Sequence, residues 1–203
     1  MHRILILLLL ATIGTVDAKQ PNVILIMADD MGYEALSVNG SESCKTPNLD
    51  KLAAGGIRFT NCFANPLCTP SRAKIMTGQY NVRNYVKFGL LDRGQTTFAH
   101  QAKNAGYTTC IAGKWQLGKE QDAPQHFGFD KSCLWQHTRS GRSKQDGKTY
   151  DRRFVNPMQE FNGKEKEYVD GEYAPQLCTD FVCNFIDQNK TKPFLVYYPM
   201  ILT

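Results

Sequence analysis

The stretch Asn22-Val23-Ile24-Leu25-Ile26-Met27-Ala28 carries a continuous apolar run, rich in branched residues and too short for a free-standing helix. It predicts a strand buried on both faces, ending in Asp29-Asp30. Thr46-Pro47 then opens a helix through Leu49, Leu52 and Ala53, which Gly55-Gly56 closes. From Ile57 to Phe63, Ile57, Phe59 and Asn61 alternate with Arg58, Thr60 and Cys62, the period of a second strand. Asn65-Pro66 breaks it. A further helix is predicted with Thr69 as N-cap and Pro70 at its first position, running through Ile75 and Met76 to a left-handed cap at Gly78. Cys68 then stands one residue ahead of a helix and faces unpaired amide groups.

Phe98 to Ala105 has helical character and ends at Gly106, and Tyr107 to Ala112 is the next predicted strand, followed by Gly113-Lys114-Trp115. From Cys133 to Asp170 the chain is polar with little periodicity, so a surface excursion is expected at about 131–170. Glu172 to Asp187 resumes helical spacing through Leu177, Phe181, Val182, Phe185 and Ile186, and Phe194 to Tyr198 is again a buried strand. No internal repeat is present. Strands alternating with helices predict an α/β fold, a largely parallel central sheet flanked by helices, with ligands beyond the carboxyl ends of the strands. Asp29, Asp30 and Lys114 sit at such ends, and Cys68 follows one closely.

At 203 residues and 42% hydrophobic content the chain can bury a sizeable core. Its first 18 residues change the picture. His2 and Arg3 precede an apolar run from Ile4 to Leu10, and Val16-Asp17-Ala18 offers a small-residue cleavage site, the pattern of a secretory signal. The run is shorter than the roughly 20 residues needed to span a bilayer, so no stable membrane anchor is expected. The mature chain would start near Lys19 and be secreted, periplasmic or lysosomal. In such compartments disulfides persist. With Cys68 set aside for chemistry, Cys44, Cys62, Cys110, Cys133, Cys178 and Cys183 could form up to three bridges or remain buried thiols. Asn39-Gly40-Ser41 and Asn189-Lys190-Thr191 match the glycosylation acceptor pattern. The net charge of +5 is spread along the chain, and no basic run interleaved with aromatics points to nucleic acid.

A helix start carries roughly half a positive charge, which favours anions and lowers a thiol pKa, and Arg72 lies about one turn further in. Adjacent carboxylates at Asp29 and Asp30 repel each other unless a cation or donors neutralise them, and hard divalent cations prefer such oxygens. A turn or helix cap is the plainer role for such a pair. A thiolate would be a soft ligand on a hard ion, so Cys68 should be chemically altered when the metal is bound.

Cys68-Thr69-Pro70-Ser71-Arg72, followed by Ile75-Met76-Thr77-Gly78, resembles the signature of the sulfatase family, within the alkaline phosphatase superfamily. Asn22 to Asp30, Thr46 to Leu52, Gly106-Tyr107 with Gly113-Lys114-Trp115, Phe127-Gly128-Phe129-Asp130 and Pro193 to Thr203 extend the resemblance over nearly all of the mature chain. It implies that Cys68 is oxidised by a formylglycine-generating enzyme to formylglycine, an aldehyde whose hydrate is a hard ligand. One oxygen of the hydrate attacks the sulfur of a sulfate ester and expels the alcohol, and the second hydroxyl releases sulfate. By position, Asp29 and Asp30 resemble metal ligands for Ca²⁺ or Mg²⁺, and modified Cys68 resembles nucleophile and further ligand. Arg72 looks like the residue that holds the formylglycine, and Lys114 like a sulfate contact.

Two departures stand out. The family often has histidine where Gln116 stands, and glutamine hydrogen-bonds without acting as a base. His100, His126 and His137 are isolated and expected to be structural or exposed. The family pattern also continues beyond a strand like Phe194 to Met200 into further site residues, so about half of the expected site falls within this polypeptide, which alone is expected to be weakly active or inactive. The expected function is hydrolysis of an aryl or carbohydrate sulfate. The alternatives are a phosphoric or phosphonic ester hydrolase of the same superfamily, or a non-catalytic module that binds sulfated glycans.

Overall fold

The computed structural model describes residues 20–135, 143–145, 148–150 and 152–201. The expected signal segment and His137 lie outside them. Six strands form one sheet in the order β1 (Val23–Met27), β10 (Phe194–Pro199), β4 (Thr108–Gly113), β5 (Lys131–Trp135), β8 (Met158–Phe161) and β9 (Lys164–Glu167). The first four run parallel and the last two antiparallel. Helices α1 (Pro47–Gly55), α2 (Cys68–Thr77), α3 (Asn81–Asn84), α4 (Phe98–Asn104), α5 (Ala123–His126) and α6 (Ala174–Asn189) complete the α/β arrangement. Two antiparallel pairs stand apart from the sheet, β2 (Tyr85–Lys87) with β3 (Leu90–Leu91) and β6 (Ser143–Gln145) with β7 (Lys148–Tyr150).

Alternation along the central strands divides the core in two. Ile111, Leu134, Leu195 and Tyr197 face one side, where they join Ala73 and Met76 of α2, Ala99 of α4, and Trp115, Phe127 and Phe129. Cys110, Ala112, Cys133, Phe194, Val196 and Tyr198 face the other, against Ala174, Cys178, Val182 and Phe185 of α6. The sheet is thus a middle layer with α2 and α4 over one face and α6 over the other. Helix α6 shows its amphipathic register directly, since its buried residues fall at spacings of about one turn.

Four sequence expectations are corrected. Strand β1 is not buried on both faces. It pairs only with β10, at an edge of the sheet, and Ile26 keeps 58% of its surface exposed. Residues 57–63 alternate like a strand but form none, and Ile57 is 85% exposed. Alternation earns a strand only where a neighbouring ladder accepts its amides, and here no described strand does. The excursion expected at about 131–170 instead supplies β5, β8 and β9. Gln159 and Glu160 of β8 are buried despite their polarity, which is why hydropathy concealed the strand. Helix α2 begins at Cys68, with Leu67 as its N-cap and no side-chain capping bond, so Thr69 and Pro70 lie within its first turn. Pro70 is tolerated there because first-turn amides lack an intrahelical acceptor. The expected cap at Gly78 is left-handed and returns its amide to Lys74 O.

The carboxyl ends of β1, β10 and β4 are laced together beyond the ladders. Met200 N donates to Met27 O and Lys114 N donates to Pro199 O, each at 2.8 Å. Gly113, at φ 117, makes the second crossing, because a Cβ there would lie 1.9 Å from Pro199 O. The absence of a side chain at 113 is what delivers Lys114 to the end of the sheet. Among the described residues no helix is long and apolar enough to cross a membrane.

Two outcomes follow. Ile111→Ala should lower the unfolding free energy by about 2–5 kcal/mol, and Ile57→Ala should stay within about 0.5 kcal/mol, in urea titrations of this chain. The second concerns pH. Burial pushes the Cys110 thiol up from 9.0 to about 12 and the Tyr197 phenol up from 10.0 to about 12. A hydrogen bond to Cys178, and then burial, push the Cys133 thiol upward as well. The folded chain retains these protons where the unfolded chain releases them. Stability of the reduced chain should therefore be intact below about pH 9 and fall as pH rises towards about 12, checked by urea midpoints across that range.

Candidate active site

Three sequence-predicted residues meet at the carboxyl end of the sheet. Asp29 leaves β1 and is buried, Arg72 enters from the second turn of α2 with no exposed surface, and Lys114 follows β4. Arg72 Nη2 donates to Asp29 Oδ1 at 3.0 Å, and Arg72 Nη1 donates to Lys114 O at 2.9 Å. Lys114 Nζ holds the other carboxylate oxygen, Asp29 Oδ2. One carboxylate thus carries two cations, the arrangement that lets charges survive burial. Asp30 is exposed and left-handed at φ 60, a conformation that carboxamide and carboxylate residues tolerate better than branched ones.

Cys68 begins α2 and is half-buried. It is four residues before Arg72, so both project from one side of the helix. Thr69 is completely buried; its Oγ1 accepts from Gly89 N at 3.0 Å and approaches Gln116 O at 3.4 Å. That hydroxyl joins the start of α2 to the loop after β4. Gln116 is left-handed at φ 53, and its Oε1 is buried without a donor. Arg72 Nε is likewise buried without an acceptor.

Sequence reasoning missed the support around this helix. Ser71 Oγ donates to Asn65 O, and Asn81 Nδ2 donates to Pro70 O. Asn84 Nδ2 reaches Ala73 O, Thr77 Oγ1 and Gln79 O. Asparagines in a polar loop carry no signal that distinguishes a helix brace from an exposed turn. Tyr197, buried in the middle of β10, was also missed as a neighbour of Arg72. Burial raises its phenol to about 12 while the guanidinium opposes that shift, and its hydroxyl donates to Met27 Sδ at 3.4 Å.

Among the described residues, His100 and His126 have structural roles. His100 closes a capping box with Thr97 at the start of α4, and its Nε2 pairs with His126 O at 2.7 Å. His126 Nε2 pairs with Arg93 O. Asp29 and Asp30 suit Ca²⁺ or Mg²⁺ in kind, since both prefer oxygen ligands. They fall short in number. No group of three His, Cys, Asp or Glu that could hold a metal forms among the described residues, so Asp29, Asp30 and the unmodified Cys68 do not make a closed site.

The sulfatase family model matches residues 21–201. The N-acetylglucosamine-6-O-sulfatase of Bacteroides thetaiotaomicron is 38% identical over 190 residues, which cover 90% of this chain and 30% of that protein. A structure solved in complex with its substrate D-glucosamine-2-N,6-O-disulfate superposes with a TM-score of 0.75 at 34% identity, over 90% of this chain and 34% of the other. The phosphonate monoester hydrolase of Agrobacterium radiobacter shares the fold, with a TM-score of 0.62 at 23% identity over 90% of this chain and 41% of the other. The chain therefore spans about a third of the length of these relatives. The mostly parallel sheet with flanking helices is of the alkaline-phosphatase type. With a match over 181 positions, from 21 to 201, the chain belongs to the sulfatase family.

Proposed function

We propose that this chain contributes the nucleophile end of a sulfatase site that hydrolyses an organic sulfate ester, with a carbohydrate sulfate as the substrate class. The observation that carries the reading is the junction of Asp29, Arg72 and Lys114 one helical turn from Cys68. The Bacteroides relative, named for N-acetylglucosamine 6-O-sulfate, supports the carbohydrate class. The leader-like first 18 residues add a location outside the cytosol and access to a formylglycine-generating enzyme during maturation.

The two unpartnered atoms beside the helix support modification at residue 68. Arg72 Nε is a donor lacking an acceptor and Gln116 Oε1 an acceptor lacking a donor. A hydrated aldehyde has hydroxyls that can serve both, whereas a thiol serves either one poorly. As formylglycine, residue 68 would supply one oxygen to attack sulfur and a second to release sulfate. Asp29 and Asp30 would hold part of the shell of a hard divalent cation, which when bound polarises the sulfuryl group and generates the nucleophile. Its remaining ligands are not among the described residues.

The chain's own groups then have definite tasks. Arg72 fixes the Asp29 carboxylate and the Lys114 carbonyl, so it sets the position of the lysine as well as the charge beside residue 68. Lys114, paired with Asp29 but not fully buried, carries an ammonium that can contact the sulfate oxygens as they gather charge. Gln116 binds through its amide and moves no proton. The phosphoric or phosphonic ester alternative shares these demands, and substrate comparison separates it.

The reading is tested in the protein that carries this chain, produced with a formylglycine-generating enzyme. Peptide mass spectrometry across residue 68 should show the aldehyde, and aryl or glucosamine 6-sulfate should turn over faster than the matching phosphate. Cys68→Ala should abolish turnover, and Lys114→Ala should lower kcat/KM by about 10²–10³-fold. A persistent thiol with undiminished turnover, or preference for phosphate, would overturn it. A separate outcome concerns residue 116. The parent enzyme should show no pH–rate inflection owed to this position, and Gln116→His should introduce one near pH ~6.5, read from pH profiles of kcat.

A further inference from the structure

The first turn of α2 contains a threonine with no exposed surface, Thr69. A buried hydroxyl needs an acceptor for its proton and a donor for its oxygen, or its desolvation is uncompensated. The plain role for threonine at a helix start is to cap it, but α2 has no side-chain capping bond. The hydroxyl instead joins two other segments. Thr69 Oγ1 accepts from Gly89 N at 3.0 Å, between β2 and β3, and donates to Gln116 O at 3.4 Å, in the loop after β4. The same two segments meet again nearby, where Leu91 N donates to Leu117 O at 3.0 Å, and both of those leucines are buried.

The loop after β4 is therefore held carbonyl by carbonyl. Arg72 takes the carbonyl of Lys114, Thr69 that of Gln116 and Leu91 that of Leu117. What these bonds restrain is an unfavourable backbone. Gln116 is left-handed at φ 53, and Leu67, two residues before Thr69, stands at φ 69 and ψ 157, a region that belongs essentially to glycine. Its side chain does not hold it there, being 69% exposed. Such conformations persist only where the surroundings fix them, and these two lie on the segments that the Thr69 hydroxyl connects.

We propose that Thr69 is a positioning residue of the sulfatase site, fixing the Gln116 turn against the start of α2 and so setting where the Gln116 amide stands relative to residue 68. The inference rests on the sulfatase reading above. Thr69 acts through Gln116, whose Oε1 is buried without a donor. Without the hydroxyl, the carbonyl of Gln116 loses its tie to α2 and the strained turn is free to relax. A displacement of about 1 Å beside the chemistry is enough to lower a rate by about 10²-fold.

The test uses the protein that carries this chain, produced with a formylglycine-generating enzyme, and reads turnover of glucosamine 6-sulfate per aldehyde counted by peptide mass spectrometry. Thr69→Val keeps the shape and drops the hydroxyl, and should lower kcat/KM by about 10–100-fold. Thr69→Ser keeps the hydroxyl and should stay within about threefold of the parent. Should Thr69→Val fail to fold, Thr69→Ala against Thr69→Ser makes the same comparison. Because the role runs through Gln116, adding Thr69→Val to Gln116→Ala should lower kcat/KM by less than about threefold more. Hydrogen exchange gives a readout that needs no turnover: the Gly89 amide, deprived of its acceptor, should exchange faster in Thr69→Val than in the parent or Thr69→Ser. Unchanged exchange, full turnover in Thr69→Val, a Thr69→Ser variant as slow as Thr69→Val, or the same loss with and without the Gln116 side chain would each overturn the positioning role while an active parent keeps the sulfatase reading. A parent that turns over no sulfate ester would overturn both.

Discussion

A guanidinium with no contact with water must find its counter-charge inside the protein, and Arg72 does so in Asp29. Removing such a charge from water costs several kcal/mol, which only close pairing and filled hydrogen bonds offset. The two partners are 43 positions apart, and the Lys114 carbonyl that takes a second guanidinium N–H is 42 positions away in the other direction. The pair can close only when β1, α2 and β4 already occupy their places. It therefore belongs to the assembled fold rather than to any single element, and a misregistered β1 would leave Arg72 buried and unpaired. The laced strand ends and the bare Gly113 follow from the same need, because they bring the residue-114 carbonyl to Arg72 and its ammonium to Asp29.

Much of this fold was legible because hydrophobic period and burial agree in it. The runs at 108–113 and 194–199 sit in the middle of the sheet, where both faces are covered, and their apolar continuity is what such positions require. Failures came where the two separate. Strand β1 has the same continuous pattern but lies at an edge, so composition overstated its burial. Residues 57–63 have the period without the neighbour. In β8 the neighbour is present and the period is masked, because buried Gln159 and Glu160 look like surface residues in one dimension. A sheet position is decided by pairing across tens of residues, and local alternation carries no record of it.

The site divides along the same line. Its chemical residues were visible because they are unusual combinations, a cysteine before Pro-Ser-Arg, a paired aspartate at a strand end, a lysine after Gly113. Their mutual contacts were not. Nothing in the sequence indicates that Asp29 faces Arg72 and Lys114 while Asp30 turns to solvent at a left-handed φ. The helix start was misplaced because Thr69 and Pro70 suit a cap and a first turn, yet Thr69 Oγ1 is spent on Gly89 and Gln116 instead. A side chain that could cap a helix is drawn into tertiary bonding when its site is buried. The asparagine brace was silent for the opposite reason, since asparagine is equally at home in any turn.

Charge supplies a final argument about the ester. Arg72 and Lys114 bring two positive charges to the one buried carboxylate of Asp29 while Asp30 turns to solvent, so the buried set carries one positive charge in excess. A sulfate monoester carries one negative charge near neutrality, and a phosphate monoester carries nearly two. One surplus positive charge offsets the first of these charges, and a second must find its compensation elsewhere when it is buried. The ion pairs that make Arg72 tolerable in the core thus leave one positive charge in excess beside residue 68, with Lys114, the one of the two cations that retains some exposure, as the group able to turn from the carboxylate towards an anion.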